Sequence, residues 1–268
     1  MAEQIFNAAL VKEYLKTDFP VQLDVQREVT STNTILKELA EQDMPEGFVL
    51  IAQSQTAGRG RLGRSFHSPV GTGLYFSVLL RPTCSAERSL FITTSAAVAV
   101  CRAIENLTDK KPLIKWVNDI YLDEKKICGI LTEASIDFET KGLKWAVLGI
   151  GINLAEPDGG FPEDIRNIAG SLFTEKCDAQ TCAQLAAGIL DEFFALYKEI
   201  DSGAFVEDYR KRSFLTGREI VFSMGNETYT GVVTGVSDEA HLLVRLESGE
   251  ERAFSAGEVQ IHKGFQKL

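Results

Sequence analysis

Gly58-Arg59-Gly60-Arg61-Leu62-Gly63-Arg64 sets three glycines among three arginines in a chain whose 38 acidic residues outnumber its 28 lysines and arginines. Glycine frees the backbone for positive φ and close approach. Arginine supplies fixed charge and a planar donor fork suited to phosphate or carboxylate. From Gly47 to Ala86 there is no Asp or Glu, while Arg59, Arg61, Arg64 and Arg81 are present. The pattern fits a loop that closes over a small anionic ligand, its cations waiting for that ligand's charge. It also fits a solvated Gly/Arg surface loop or a nonspecific nucleic-acid contact.

The 268 residues, 44% of them hydrophobic, suffice for one large domain, or one large and one small. A formal charge of −10 opposes general affinity for DNA, RNA or anionic membrane and leaves nucleotides open as small ligands. The five cysteines, Cys84, Cys101, Cys128, Cys177 and Cys182, include no CxxC pair, and His67, His241 and His262 are scattered. Neither a zinc site nor a disulfide framework is expected, and reduced thiols point to the cytoplasm. Met1 to Leu10 lack a basic start and a long apolar core, so no leader is expected there. The apolar stretches read as too short to span a membrane.

Outward from the loop, Phe48 to Ala52 and Leu74 to Leu80 read as strands and Leu90 to Leu107 as a helix with one buried face. Ser31 or Thr32 is the expected cap of a helix bearing Ile35, Leu36, Leu39 and Ala40. Leu113 to Val117, Lys126 to Ser135 and Lys144 to Asn153 read as further strands, with Asn118-Asp119 in a turn. Ala155 to Ala169 reads as a long loop. Thr181 to Ile200 reads as an amphipathic helix, with Thr181 and Gln184 as a capping box. Short alternating segments at 219–222, 228–236, 242–246, 251–254 and 258–261 suggest a small barrel, with a boundary that yields domains 1–214 and 215–268.

Four polar clusters fall in or beside these strands: Ser31-Thr32-Asn33, Gln53 to Ala57, Lys115 to Asp119 with Lys125-Lys126 and Gly129, and Gly149 to Asn153. A helix start can hold an anion, and can equally be a plain cap. Lys115, inside an apolar strand, must snorkel, pair or serve a ligand. Lys126 and Asp119 can form a cation–carboxylate pair at one strand end, and Asp119 can hold Mg²⁺ or steer an amine. The alternation of glycine with isoleucine from Gly149 leaves one strand face open for a flat ligand.

Taken in order, these clusters resemble the biotin–protein ligases. The resemblance rests on Ser31-Thr32-Asn33, Gln55, Gly58 to Arg64 with Phe66 and Ser68-Pro69, Lys115 to Asp119, Lys126 with Gly129-Ile130-Leu131, and Gly149 to Asn153. It departs from the family pattern where Phe66 stands for Trp and Val117 for Pro. It implies an α+β fold: a mixed-sheet catalytic domain of the biotin/lipoate ligase type, class II synthetase-like, with a C-terminal SH3-like barrel. It implies ATP, Mg²⁺ and biotin as ligands, biotinyl-5′-AMP as intermediate and a biotin carboxyl carrier lysine as acceptor. By the same resemblance Lys126, Arg61 and Asp119 are catalytic. Ser31, Thr32, Gln55, Gly58, Arg59, Gly129, Leu131 and Gly149 contact biotin. Arg61, Arg64, Phe66, Asn118, Lys126 and Asn153 contact the nucleotide, and Asn153 and Asp119 hold the metal.

Thirty residues precede Ser31, too few for the helix-turn-helix domain some family members carry, so no specific DNA binding is expected. A homodimer is compatible with the sequence. A lipoate–protein ligase and a non-catalytic biotin- or nucleotide-binding regulator are the competing readings. The first lacks its histidine–aspartate pair here, and the second leaves Lys126, Asp119 and Asn153 without a purpose.

Overall fold

Two hydrophobic surfaces of one sheet organise the larger part of the chain. The computed structural model describes residues 6–137, 139 and 141–261. The first five residues of the stretch read for a leader, His262 and the end of the barrel domain lie outside them. In chain order the elements are α1 (Ala8–Tyr14), β1 (Gln22–Val29), α2 (Thr32–Glu41), β2 (Phe48–Gln55), β3 (Gly73–Leu80), α3 (Leu90–Leu107), β4 (Leu113–Lys115), β5 (Asp119–Leu122), β6 (Lys125–Asp137) and β7 (Gly142–Asn153). There follow α4 (Ala179–Tyr197), α5 (Val206–Lys211), β8 (Glu219–Met224), β9 (Glu227–Val236), β10 (Leu242–Leu246), β11 (Glu251–Phe254) and β12 (Glu258–Ile261).

The first seven strands form a mixed sheet in the order β1-β2-β3-β7-β6-β5-β4, with only β1 and β2 parallel. Side chains alternate between its faces. Leu148, Ile150 and Ile152 of β7 join Phe76 and Val78 of β3 in the main core beneath α3 and α4. The opposite face carries Leu79, Trp145 and Val147, which pack on Leu36 and Ala40 of α2. α2 is ten residues long, about 15 Å, so it covers only part of that face.

α3 is an apolar helix, and by length and composition alone the segment Ala86–Leu107 is long and apolar enough to cross a membrane. This corrects the expectation that every apolar stretch is too short. In the fold most of that segment is buried. α4 starts earlier than its capping-box pattern suggests, because Asp178 accepts from Thr181 N at 2.7 Å and is the cap. Asp119 opens a strand instead of lying in a turn, and the strand expected through Val117 stops at Lys115. The Trp116–Val117 peptide is cis.

The last five strands form an antiparallel sheet, β11-β10-β9-β8-β12. Trp116 ties it to the larger sheet: its Nε1 donates to Ala240 O at 2.9 Å and its ring lies 6.3 Å from that of Phe222. Ile220, Phe222 and Val233 belong to the same apolar cluster as α3 and β7.

Arg81 belongs to the scaffold despite its place in the acid-free stretch. It donates to Ala40 O (3.1 Å), Met44 O (2.9 Å) and Lys144 O (3.2 Å), closing the C-terminal end of α2. Arg81→Ala is expected to destabilise the fold by about 1–2 kcal/mol, since charged donors to carbonyls are lost. A denaturant midpoint equal to that of the parent would show that water serves those carbonyls equally well.

Candidate functional site

Beyond the end of α2, its face of the sheet is floored by glycine. Gly129 pairs with Gly151 across β6 and β7, and Leu131 with Gly149, so these positions share one face. Asp119 of β5 pairs with Gly129, and Lys115 of β4 with Asp119, which extends the row to the sheet's edge. A cavity of about 890 Å³ opens over this row, lined from one end by Thr32 and Gln55 and from the other by Lys115, Lys126 and Glu258.

The glycines are required by what stands on them. A Cβ at Gly149 would lie 2.0 Å from Asn33 Oδ1, and one at Gly151 would lie 2.7 Å from the Phe66 ring. The face over Gly149 is therefore not open for a flat ligand, as the alternation suggested; Asn33 fills it. Phe66 stands over Gly151 and approaches Gly129, meeting Tyr75 edge-on at 6.3 Å.

The neutral end of the cavity is a closed hydrogen-bond network. Gln55 Oε1 accepts from Thr32 N at 2.9 Å, and Gln55 Nε2 donates to Ser68 Oγ at 3.0 Å. Ser77 Oγ donates to Asn33 Oδ1 at 2.6 Å and lies 2.7 Å from Thr32 Oγ1. Ser31 caps α2 through a long contact to Thr34 N, 3.5 Å. Ser31, Thr32 and Asn33 are buried, and burial of so many polar atoms is tolerated because they satisfy one another.

The charged end centres on Lys126 and Asp119. Strict alternation from Gly129 would send Lys126 toward the core and Ile127 toward the cavity. A register shift between Ile120 and Tyr121 inserts one residue, so Ile127 and Cys128 are both core residues and Lys126 lines the cavity. Lys126 Nζ lies 2.7 Å from Asp119 Oδ1. The contact is ionic only, because that buried oxygen has no partner in hydrogen-bonding geometry. Among the described residues the Lys115 ammonium has neither a hydrogen bond nor an ion pair, and the Tyr121 ring lies 5.8 Å away. Burial pushes its ammonium below the ordinary lysine range; Asp119 opposes the shift and Lys126 reinforces it.

The loop arginines already have protein partners, contrary to the expectation that they wait for a ligand. Arg59 Nη2 lies 3.1 Å from Glu133 Oε1. Arg61 donates to Asn118 Oδ1 at 2.8 Å and to Gly257 O at 3.2 Å, and Arg64 pairs with Glu258. Gly257 precedes β12 and Glu258 opens it, so the barrel forms part of the cavity wall. Asn153 Nδ2 donates to Gly170 O at 3.0 Å, which ties the end of β7 to the loop whose Ile165 and Ile168 also line the cavity.

Of the residues singled out from sequence, Ser31, Thr32, Gln55, Arg59, Arg61, Arg64, Phe66, Asn118, Asp119, Lys126, Gly129, Leu131, Gly149 and Asn153 all line this one cavity. Gly58 does not. It forms the neck of the loop, where a Cβ would lie 2.4 Å from Phe66 O, and its own carbonyl accepts from Phe66 N at 2.9 Å. Sequence reading passed over Glu133 and the barrel's Gly257 and Glu258. It left Asn33 and Lys115 without a role; the Asn beside Ser31-Thr32 and the lone cation in an apolar strand were the available signals.

Among the described residues no three His, Cys, Asp or Glu side chains gather to hold a metal. Mg²⁺ carried on a nucleotide needs only one or two protein oxygens. Asp119 Oδ1, which lacks a hydrogen-bond partner, and Asn153, whose amide nitrogen is already engaged, have the chemistry for it.

Lys115→Met is expected to raise stability by about 1 kcal/mol at neutral pH, because it removes a half-buried ammonium that makes no ion pair among the described residues. The folded-state pKa lies below the unfolded one, so the parent gains stability as pH rises through the depressed value. The advantage of the variant should shrink over the same range. Urea midpoints at several pH values test this, and a variant less stable than the parent at pH 7 would contradict it.

The profile of the biotin/lipoate A/B protein ligase family matches residues 25–153, and that of the biotin protein ligase C-terminal domain matches residues 215–261. The bifunctional ligase/repressor BirA of Bacillus subtilis is 33% identical over 246 residues, 90% of this chain and 75% of its own length. The biotin–[acetyl-CoA-carboxylase] ligase of Mycobacterium tuberculosis is 29% identical over 246 residues, 89% of this chain and 88% of its own. The Aquifex aeolicus biotin protein ligase, solved in complex with biotin and ATP, superposes with a TM-score of 0.72 at 29% identity, covering 91% of this chain and 99% of that one. The glycine-floored cavity, the Gly/Arg loop and the C-terminal barrel are therefore features of a chain that belongs to the biotin protein ligase family.

Proposed function

We propose that this chain joins biotin to a lysine of a biotin carboxyl carrier domain at the expense of ATP, through biotinyl-5′-AMP. The observation that carries the reading is the cavity's division. One end is a neutral polar network beside a glycine floor; the other gathers Lys115, Lys126, Arg61 and Arg64. Biotin has a neutral ureido head and an anionic tail, and joining that tail to a triphosphate brings like charges together. A site with this polarity suits both demands. The Aquifex relative, crystallised with biotin and ATP, supports the assignment.

In the first step a biotin carboxylate oxygen attacks the α-phosphorus, and the bond to pyrophosphate breaks. Lys126 turns from Asp119 toward the reacting oxygens, while Arg61 and Arg64 exchange Asn118 and Glu258 for phosphate. Mg²⁺ bound with the nucleotide would neutralise part of the phosphate charge. In the second step the carrier lysine's neutral amine attacks the acyl carbon and AMP leaves. Asp119, released from Lys126, takes the proton that the amine loses. Phe66 and the Gly/Arg loop shield the mixed anhydride from water.

The net charge of −10 weighs against operator DNA as a partner. The free thiols suit a reducing compartment such as the cytoplasm.

Mass spectrometry of the protein incubated with biotin and MgATP should show biotinyl-AMP; an adenylate formed from lipoate and not from biotin would overturn the substrate assignment. Lys126→Ala should slow adenylate formation about 10²- to 10³-fold, as for loss of one transition-state donor. It should also cost about 1–3 kcal/mol of stability, more than a solvated lysine, because Asp119 is left buried without its cation. Adenylation within about threefold of the parent would remove Lys126 from the reaction centre.

A further inference from the structure

One carboxylate outside the reacting groups joins three elements around the neutral end of the cavity. Glu133 lies on β6, on the same face as Gly129 and Leu131. Its Oε2 accepts from Asn33 Nδ2 at 3.1 Å. Its Oε1 lies 2.7 Å from Lys37 Nζ and 3.1 Å from Arg59 Nη2. Asn33 and Lys37 are four residues apart and so share a face of α2. Asn33 is also the side chain that fills the space over Gly149. The Glu133 side chain is 20% exposed, so its contacts are only partly screened by water.

This arrangement makes the loop asymmetric. At its far side Arg61 and Arg64 bind Asn118, Gly257 and Glu258, groups at the charged end of the cavity where phosphate would compete for them. At its near side Arg59 binds Glu133, whose other partners belong to α2 and not to the charged end. An anion entering that end can displace Glu258 from Arg64 without touching the Glu133 cluster.

We infer that Glu133 is a positioning residue for biotin: it holds the first turn of α2 and the Arg59 end of the loop against the glycine floor, so the slot for the biotin head is formed before ATP arrives. The inference rests on the ligase reading above. Burial works against the Glu133 carboxylate, but hydrogen bonds from Lys37 and Asn33 and the charges of Lys37 and Arg59 outweigh it and keep its pKa below the usual value. The clamp is therefore fully charged at neutral pH.

Glu133→Gln keeps the size and an oxygen for Asn33 while removing the charge that holds Arg59 and Lys37. Biotin affinity without ATP, the KM values for biotin and ATP, and thermal stability should be measured for the parent, Glu133→Gln, Arg59→Ala and the double variant. Glu133→Gln should weaken biotin binding about tenfold, the size of a coupled contact pair, and raise the biotin KM with it. The ATP KM should stay within about twofold, a split that general loss of structure would not give. The double variant should bind biotin no more weakly than the weaker single variant, because both substitutions break one contact.

Biotin affinity within about twofold of the parent in Glu133→Gln, or effects that multiply in the double variant, would overturn the inference. Should Glu133→Gln not fold, Lys37→Ala decides, because Lys37 contacts Glu133 without lining the cavity: unchanged biotin affinity overturns the clamp and weakened affinity with unchanged ATP KM supports it. A parent that binds no biotin overturns the ligase reading and this inference together, whereas a parent that binds it beside an unchanged variant overturns this inference only.

Discussion

The absence of a Cβ at Gly129, Gly149 and Gly151 is the constraint on which the site depends. An alternating strand face would normally carry apolar side chains that need a helix over them. Trp145 and Val147 are covered in that way by Leu36 and Ala40. One step further along β7 the glycines let Asn33 and Phe66 descend onto the backbone itself. Asn33 in turn orders Ser77, Leu131 O and Glu133 around it. The same sheet face is thus a core at one end and a ligand slot at the other, with no change of fold between them.

Charge is arranged in pairs that differ in how easily they can be exchanged. Arg64 and Glu258 are both partly solvated, and such pairs contribute little to stability. Lys126 and Asp119 are more buried and 2.7 Å apart, and Asp119 Oδ1 has no hydrogen bond among the described residues besides that ionic contact. Among the described residues the Lys115 ammonium has no ion pair, and Asp119 is the nearest opposing charge acting on it. The charged end thus presents one cation without an ion pair beside several that are weakly committed. The barrel shares in the site because Gly257 O and Glu258 hold Arg61 and Arg64.

Much of the architecture was legible in the sequence. α3 matches its apolar spacing from Leu90 to Leu107, and β10, β11 and β12 match the alternating segments read for the barrel. Elements with weak patterns were not legible. β1 alternates little and half of it is exposed, so nothing in Gln22–Val29 marks an edge strand. The parity change before Gly129 is invisible in composition, because Lys126-Ile127-Cys128 reads as an ordinary strand start until the register shift is seen. Glu133 looked like any acidic residue in a half-exposed strand. Its partners lie 74 to 100 residues away in sequence, and those of Arg61 and Arg64 on the barrel lie 194 to 196 away. Local motifs named the residues of the site, but only the fold shows which of them hold one another.

In the proposed reaction the loop's arginines trade protein partners on the barrel for the ligand's phosphate. Hydrogen exchange of residues 58–66 and 257–260, measured on the full chain with biotin alone and then with biotin and MgATP, tests it directly. The expected result is a change in both segments together on adding MgATP, with slower exchange in the loop and faster exchange at the start of β12 as Gly257 and Glu258 are released. Slower exchange in the loop with no change at 257–260 would contradict the claim, because the barrel would then be a bystander to binding.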